Sequence, residues 1–183
     1  MFQSRRSLQT PLLVKLSLSA AIAMFFAGWT TSSDASTPDV SSTMTLAKRS
    51  ESMDLAEIAR LTHQEVNKYR ASLNLAPLKF NVSISEQATI HSQNMAEQSV
   101  EFSHDGFQGR VAALEDTIDY RGAAENVAYN MGYKDPVATA VKGWIKSDGH
   151  RKNMEGNYNL TGIGVAKNPQ GEYYFTQIFI LEK

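Results

Sequence analysis

Three side chains suited to acid–base or metal chemistry sit in short polar settings: His104 in F-S-H-D-G, Glu125 in A-A-E-N and His150 in S-D-G-H-R. Two imidazoles with one carboxylate form an open site for zinc or another divalent metal, with room left for water. The same trio supplies a general base and a general acid if a substrate docks beside it. Histidines at loop and helix ends also cap and pack, so residue types alone leave these readings side by side. Glu125 follows Ala123 and Ala124, and a carboxylate among small apolar residues is partly buried and then needs a partner.

Ser147 stands three residues before His150, and Glu125 could orient the imidazole as in a serine hydrolase. No G-x-S-x-G elbow accompanies that serine, which weakens the hydrolase reading. Asp105, Glu115, Asp116 and Asp119 lack the D-x-D-x-D-G spacing of a calcium loop and read as a solvated acidic surface. The 183-residue chain contains no cysteine, which excludes disulfides, thiolate zinc sites and a cysteine nucleophile.

The elements that must position these groups show in the periodicity. Leu55, Ile58, Thr62, Val66, Tyr69 and Leu73 recur at steps of three and four, predicting a helix capped by Asp54 and stopped by Pro77. Leu78 and Phe80 continue as a short extended segment. A capping box of Ser83 and Glu86 predicts a second helix through Ala88, His91 and Met95, where His91 packs rather than ligates. His104 then falls in the loop beyond it.

A shorter helix is expected over 110–114, and R-G-A-A-E-N-V-A-Y-N from Arg121 reads as a loop entering an apolar stretch. Asp135-Pro136 starts a further helix with Val137, Val141, Trp144 and Ile145 as its buried stripe up to Gly149. Two β-rich runs, 161–166 and 173–180, flank an N-P-Q-G turn and predict a hairpin. Helices first and an antiparallel hairpin last predict an α+β domain over 54–183.

Ahead of it, Arg5, Arg6 and Lys15 accompany a 13-residue apolar run from Leu16 to Gly28, the length of a signal-peptide core and short for a bilayer span. Residues 1–35 are therefore expected to be a signal peptide, with a retained signal-anchor as the rival. Residues 36–53 read as a flexible Ser/Thr-rich spacer. Setting aside Arg5, Arg6, Lys15 and Asp34 leaves 15 of 18 basic and 18 of 19 acidic residues. That balance argues against nucleic acid as the partner, because phosphate binding needs a concentrated positive face.

The strings F-S-H-D-G, A-E-N-V-A, W-I-K-S-D-G-H-R-K-N-M, G-I-G-V-A and Y-F-T-Q-I-F occur in that order. Together with N-K-Y-R-A-S-L-N-L-A-P-L from Asn67, they resemble the CAP superfamily, also called the SCP or PR-1-like domain, in its bacterial branch. The resemblance implies an α-β-α sandwich, helices on both sides of a mainly antiparallel sheet, secreted or surface-located, with a His/Glu cleft that holds a divalent metal. His104 matches the first cleft histidine and Glu125 the glutamate of the G-E-N motif, whose glycine is Ala124 here.

Ser147 stands where plant and animal members carry a second glutamate, and Tyr174 where they carry a second histidine. In this branch the resemblance implies His150 as the second imidazole and Tyr174 as a phenolic group in the same cleft. It implies no single reaction: members include lipid binders, defence proteins, channel modulators and a few proteases. The expectation is a monomeric, exported, non-enzymatic binding domain for a metal or a small or lipid ligand. A metal-assisted or acid–base hydrolase acting on envelope material, and an interaction module for an envelope component with a vestigial cleft, stand as alternatives.

Overall fold

The computed structural model describes residues 40–183, with side chains from Leu55 onward; the signal-like run and the start of the expected spacer lie outside the described residues. Helix α1 (Val40–Ser72) leads into strand β1 (Lys79–Phe80), helix α2 (Val82–Ala96) and the short α3 (Phe107–Ala112). Strand β2 (Tyr120–Asn130), helices α4 (Pro136–Lys146) and α5 (Asp148–Glu155), and the hairpin β3 (Leu160–Lys167) and β4 (Tyr173–Glu182) complete it. The strands lie in the order β1-β3-β4-β2, with β1 parallel to β3 and the other pairs antiparallel.

Alternation along the hairpin builds two apolar faces. Ile163, Val165, Phe175 and Phe179 point to one side and pack with Val66 of α1, Val141 and Trp144 of α4 and Met154 of α5. Leu160, Ile178 and Ile180 point to the other and meet Ile84 and Ala88 of α2, together with Val111 and Leu114. The result is the α-β-α sandwich that the element order and the resemblance lead one to expect.

The seam between α2 and β3 depends on two glycines. A Cβ on Gly162 would collide with the backbone at Ile84 and Ser85, and one on Gly164 with the backbone at Ala88 and Thr89. Glycine is required there because helix and strand backbones nearly touch. Ser85 and Ser92 bridge the seam by donating to the carbonyls of Ile163 and Gly164.

Polar side chains fix the opposite layer. Arg70, 3% exposed, donates to the carbonyls of Ala76, Met154 and Gly156, tying α1 to the end of α5. Burial holds its guanidinium pKa below the ordinary range. Asn67 clasps both the N–H and the carbonyl of Leu78, and this sets the chain for β1.

The structure departs from the expected elements at four places. Helix α1 begins at Val40 rather than at an Asp54 cap, because Leu46, Ala47, Lys48, Arg49 and Glu51 are residue types that favour helix and no Gly or Pro interrupts them. Helix α2 is capped by Asn81, whose Oδ1 accepts from Ile84 N at 3.1 Å, and not by Ser83. The stretch 121–130 is a strand, drawn out by its register partners along β4. Helix α4 stops at Lys146, and His150 lies inside α5 rather than beyond a helix that runs to Gly149.

Candidate functional site

Strand β2 pairs only with β4 among the described residues, so its other edge faces α4 and α5. Two side chains close that edge: Trp144 Nε1 donates to Val127 O at 3.0 Å, and Asn153 Nδ2 to Glu125 O at 3.1 Å. Strand edges left bare invite pairing with other chains, and here α4, α5 and these two hydrogen bonds cover the edge. Asn153 Nδ2 also reaches Asn126 Oδ1 at 2.9 Å, while Asn126 Nδ2 donates to His150 O at 3.1 Å. The E-N pair of β2 and the H-R-K-N run of α5 thereby fix the backbone that carries His150.

From the other side of the sheet, the loop after α2 delivers His104. Buried His91 holds that loop through a 2.9 Å hydrogen bond between its Nε2 and Ser103 O. Burial keeps the His91 imidazole below its ordinary pKa, partly offset by this bond. Gly106, at φ +76°, turns the chain into α3, a conformation other residues rarely adopt.

The site therefore gathers at the β2 edge. His104 Nδ1 lies 3.0 Å from Glu125 Oε1. A carboxylate oxygen accepts, so Nδ1 carries a hydrogen, and in the neutral ring the lone pair is then on Nε2. The His104 side chain is half exposed, and the His150 ring is its neighbour at 6.2 Å between centroids. Burial first, and then the adjacent His104, push the His150 pKa down, which favours a neutral imidazole.

Glu125, 2% exposed at its side chain, has a second partner in Arg110. Arg110 Nε donates to Oε2 at 2.9 Å and Nη2 to Oε1 at 2.8 Å. The partner that a buried carboxylate requires is thus a residue that sequence reasoning missed. The available signal was Arg110 one turn into the helix that follows H-D-G. Asn126 and Asn153, which hold His150, were also missed as site residues.

The other two expected residues lie elsewhere. Tyr174 pairs with Tyr129, four positions along β2 from Glu125, about 13 Å at the usual strand rise. It stacks on Tyr129 and donates to Glu172 Oε2 at 3.0 Å; burial, then that bond, raises its pKa. Ser147 is the joint between α4 and α5. Among the described residues no hydrogen bond links it to His150, and Glu125 orients His104 instead, so the Ser147–His150–Glu125 triad does not form.

In this arrangement Glu125 is committed to Arg110 and to His104 Nδ1 rather than presented with His104 and His150 as a third direct ligand. Among the described residues no three His, Asp or Glu side chains gather as ligands. What fits is a pair of imidazoles with Glu125 behind His104, the arrangement by which carboxylates orient ligating histidines.

A family model described as CAP, the cysteine-rich secretory protein family, matches residues 63–179. The chain belongs to that family and keeps its fold without a cysteine. It is 34% identical over 134 residues to the uncharacterized membrane protein YlbC of Bacillus subtilis (strain 168), a match covering 70% of this chain and 33% of that protein. It is 33% identical over 154 residues to the uncharacterized protein YkwD of the same strain, covering 82% of this chain and 56% of the relative. The chain thus spans between a third and somewhat over half of these relatives' length. Among solved structures, an extracellular SCP-domain protein from Bacillus anthracis str. Ames matches with a TM-score of 0.59 at 26% identity, over 69% of this chain and 41% of that one.

Proposed function

We propose that this CAP domain is an exported, non-enzymatic binding domain whose cleft takes a divalent metal, zinc in the first instance, through His104 and His150. The observation that carries this reading is the 3.0 Å contact of His104 Nδ1 with Glu125, beside a His150 ring 6.2 Å away. It leaves one imidazole nitrogen oriented and free next to a second imidazole whose pKa is depressed. When bound, zinc would supply a Lewis-acidic point for a small ligand or an envelope component. The residues themselves orient the imidazoles and shield the carboxylate.

Export is supported by the apolar run from Leu16 to Gly28 behind Arg5, Arg6 and Lys15, and by likeness to an extracellular SCP-domain protein. Among the described residues no helix is long and apolar enough to cross a membrane.

Calorimetric zinc titration of the full chain near pH 7.5 tests the binding reading. One-to-one binding that is lost in both His104→Ala and His150→Ala is expected. Binding unchanged in either variant, or absent from the intact chain, refutes it.

A further inference from the structure

Strand β1 is too short to cover its neighbour. It pairs with β3 only at Leu160 and Thr161, so beyond Thr161 no strand among the described residues lies on that edge of β3. Asn159 O and Thr161 O accept from Lys79 N and Asn81 N at 2.9 and 2.8 Å, while Asn168 N donates to Glu172 O on the β4 side. Strand alternation then turns the N–H and C=O of Ile163, Val165 and Lys167 toward the uncovered edge. Ser85 donates to Ile163 O, but among the described residues no hydrogen bond reaches that edge at Val165 or Lys167.

The edge lies at the bottom of a slot between the two helix layers. Leu55 and Ala59 of α1 form one wall and Thr89 and Gln93 of α2 the other, around a cavity of about 810 Å³ that Val165 also lines. A second cavity of about 610 Å³ shares Leu55, Gln93 and Val165 and continues to Lys167. Phe80, Val82 and Ile90 are exposed around the first.

The lining chooses between occupants. An acyl chain would meet the apolar walls but leave the main-chain groups of Val165 and Lys167 without partners, which is unfavourable. The same edge of a second copy is itself recessed between helices and cannot enter. A single extended peptide fits, because its backbone pairs with β3 while alternate side chains meet the two walls.

Charge narrows the peptide further. Helix α2 carries no Lys or Arg, and among the described residues no ion pair engages Glu86 or Glu97, which line the first and second cavities. Their spacing is about three helical turns, roughly 16 Å, which puts both on one side of the helix. About five extended residues cover that span. We propose that the β3 slot is a second binding site, which takes a short extended peptide segment with basic residues at its ends as an added strand. It lies at the opposite end of the sheet from the β2 edge and does not involve the imidazoles.

A nitrogen-15 NMR titration of the full chain tests this with the peptide Lys-Val-Ala-Val-Lys, acetylated and amidated at its ends. Shifts at the amides of Val165 and Lys167 are expected, with none at His104 or His150. Methylating the peptide nitrogens that face β3 removes the pairing, and methylating the alternate ones does not. Of two forms, methylated at the valines or at the alanine, one is expected to bind roughly tenfold more weakly or worse and the other nearly as the parent. Exchanging both lysines for glutamate also weakens binding, and Ala56→Trp, which fills the slot from an exposed position, abolishes it.

No shift at millimolar peptide overturns the proposal, as do two methylated forms that bind alike. Shifts of the same amides by decanoate but not by the peptide make the slot an acyl site. Shifts that follow protein concentration without peptide make it a contact between copies. Either result also overturns the proposal.

Discussion

The α2–β3 seam and the β2 edge are two ways of finishing the same sheet. At the seam, glycine lets two backbones approach closely, with Ile84 and Ala88 buried and Ser85 and Ser92 bridging. At the edge, Trp144 and Asn153 cap carbonyls, Arg110 holds Glu125, and Asn126 fixes the backbone of His150. Close apolar packing resists any added atom, while a polar edge holds reactive groups in place and leaves one side open. The contrast explains why the candidate chemistry collects at the edge.

The seam should break first. Gly164→Val inserts a branched side chain where the backbone of Ala88 and Thr89 already stands, and overpacking of this kind costs about 3 kcal/mol or more. Urea unfolding should show that loss, or no folded protein; a loss below about 1 kcal/mol, roughly a fivefold change in the folding constant, would show the seam to be pliable. At the edge, Trp144→Phe keeps an aromatic ring, though a smaller one, and removes the donor to Val127 O. About 1–3 kcal/mol is expected for the unpaired carbonyl, with increased self-association by light scattering.

Asn81→Ala removes the cap of the seam helix and should cost about 1 kcal/mol in the same unfolding assay. The smallest effect concerns pH. His91 has a folded pKa below its unfolded value, so protonation below about pH 6.5 favours the unfolded chain. Stability should be level above that pH and fall as pH drops toward the folded pKa, with His150 acting in the same direction. His91→Gln should flatten the decline measured from about pH 7.5 down to about pH 5.5; an unchanged slope would place the effect elsewhere.

What the sequence disclosed followed from the range of the forces involved. The hairpin and the start of α4 were legible because β-rich runs, a turn and Asp135-Pro136 are local signals. Strand β2 was not, since its Gly- and Ala-rich start has little strand preference of its own and gains it from β4. The start of helix α2 was misplaced because Ser83 and Asn81 both offer capping oxygens, and only the chain path from β1 selects Asn81.

At the site, residue types singled out His104, Glu125 and His150, but the role of Glu125 depends on Arg110, fifteen residues earlier and joined to it only by the fold. Tyr174, expected in the cleft, does not reach the imidazoles, because strand register pairs it with Tyr129, four residues along β2 from Glu125. Sequence spacing names candidate donors; the hydrogen-bond network decides which lone pairs remain free.

Glu125 fixes the His104 tautomer, with the hydrogen on Nδ1 and, in the neutral ring, Nε2 free. Nitrogen-15 NMR of the histidine side chains, at a pH where they are neutral, reads this directly. The structure predicts the Nδ1–H form of His104 to dominate in the intact chain and to relax toward a mixture in Glu125→Gln. A dominant Nε2–H form in the intact chain would contradict it.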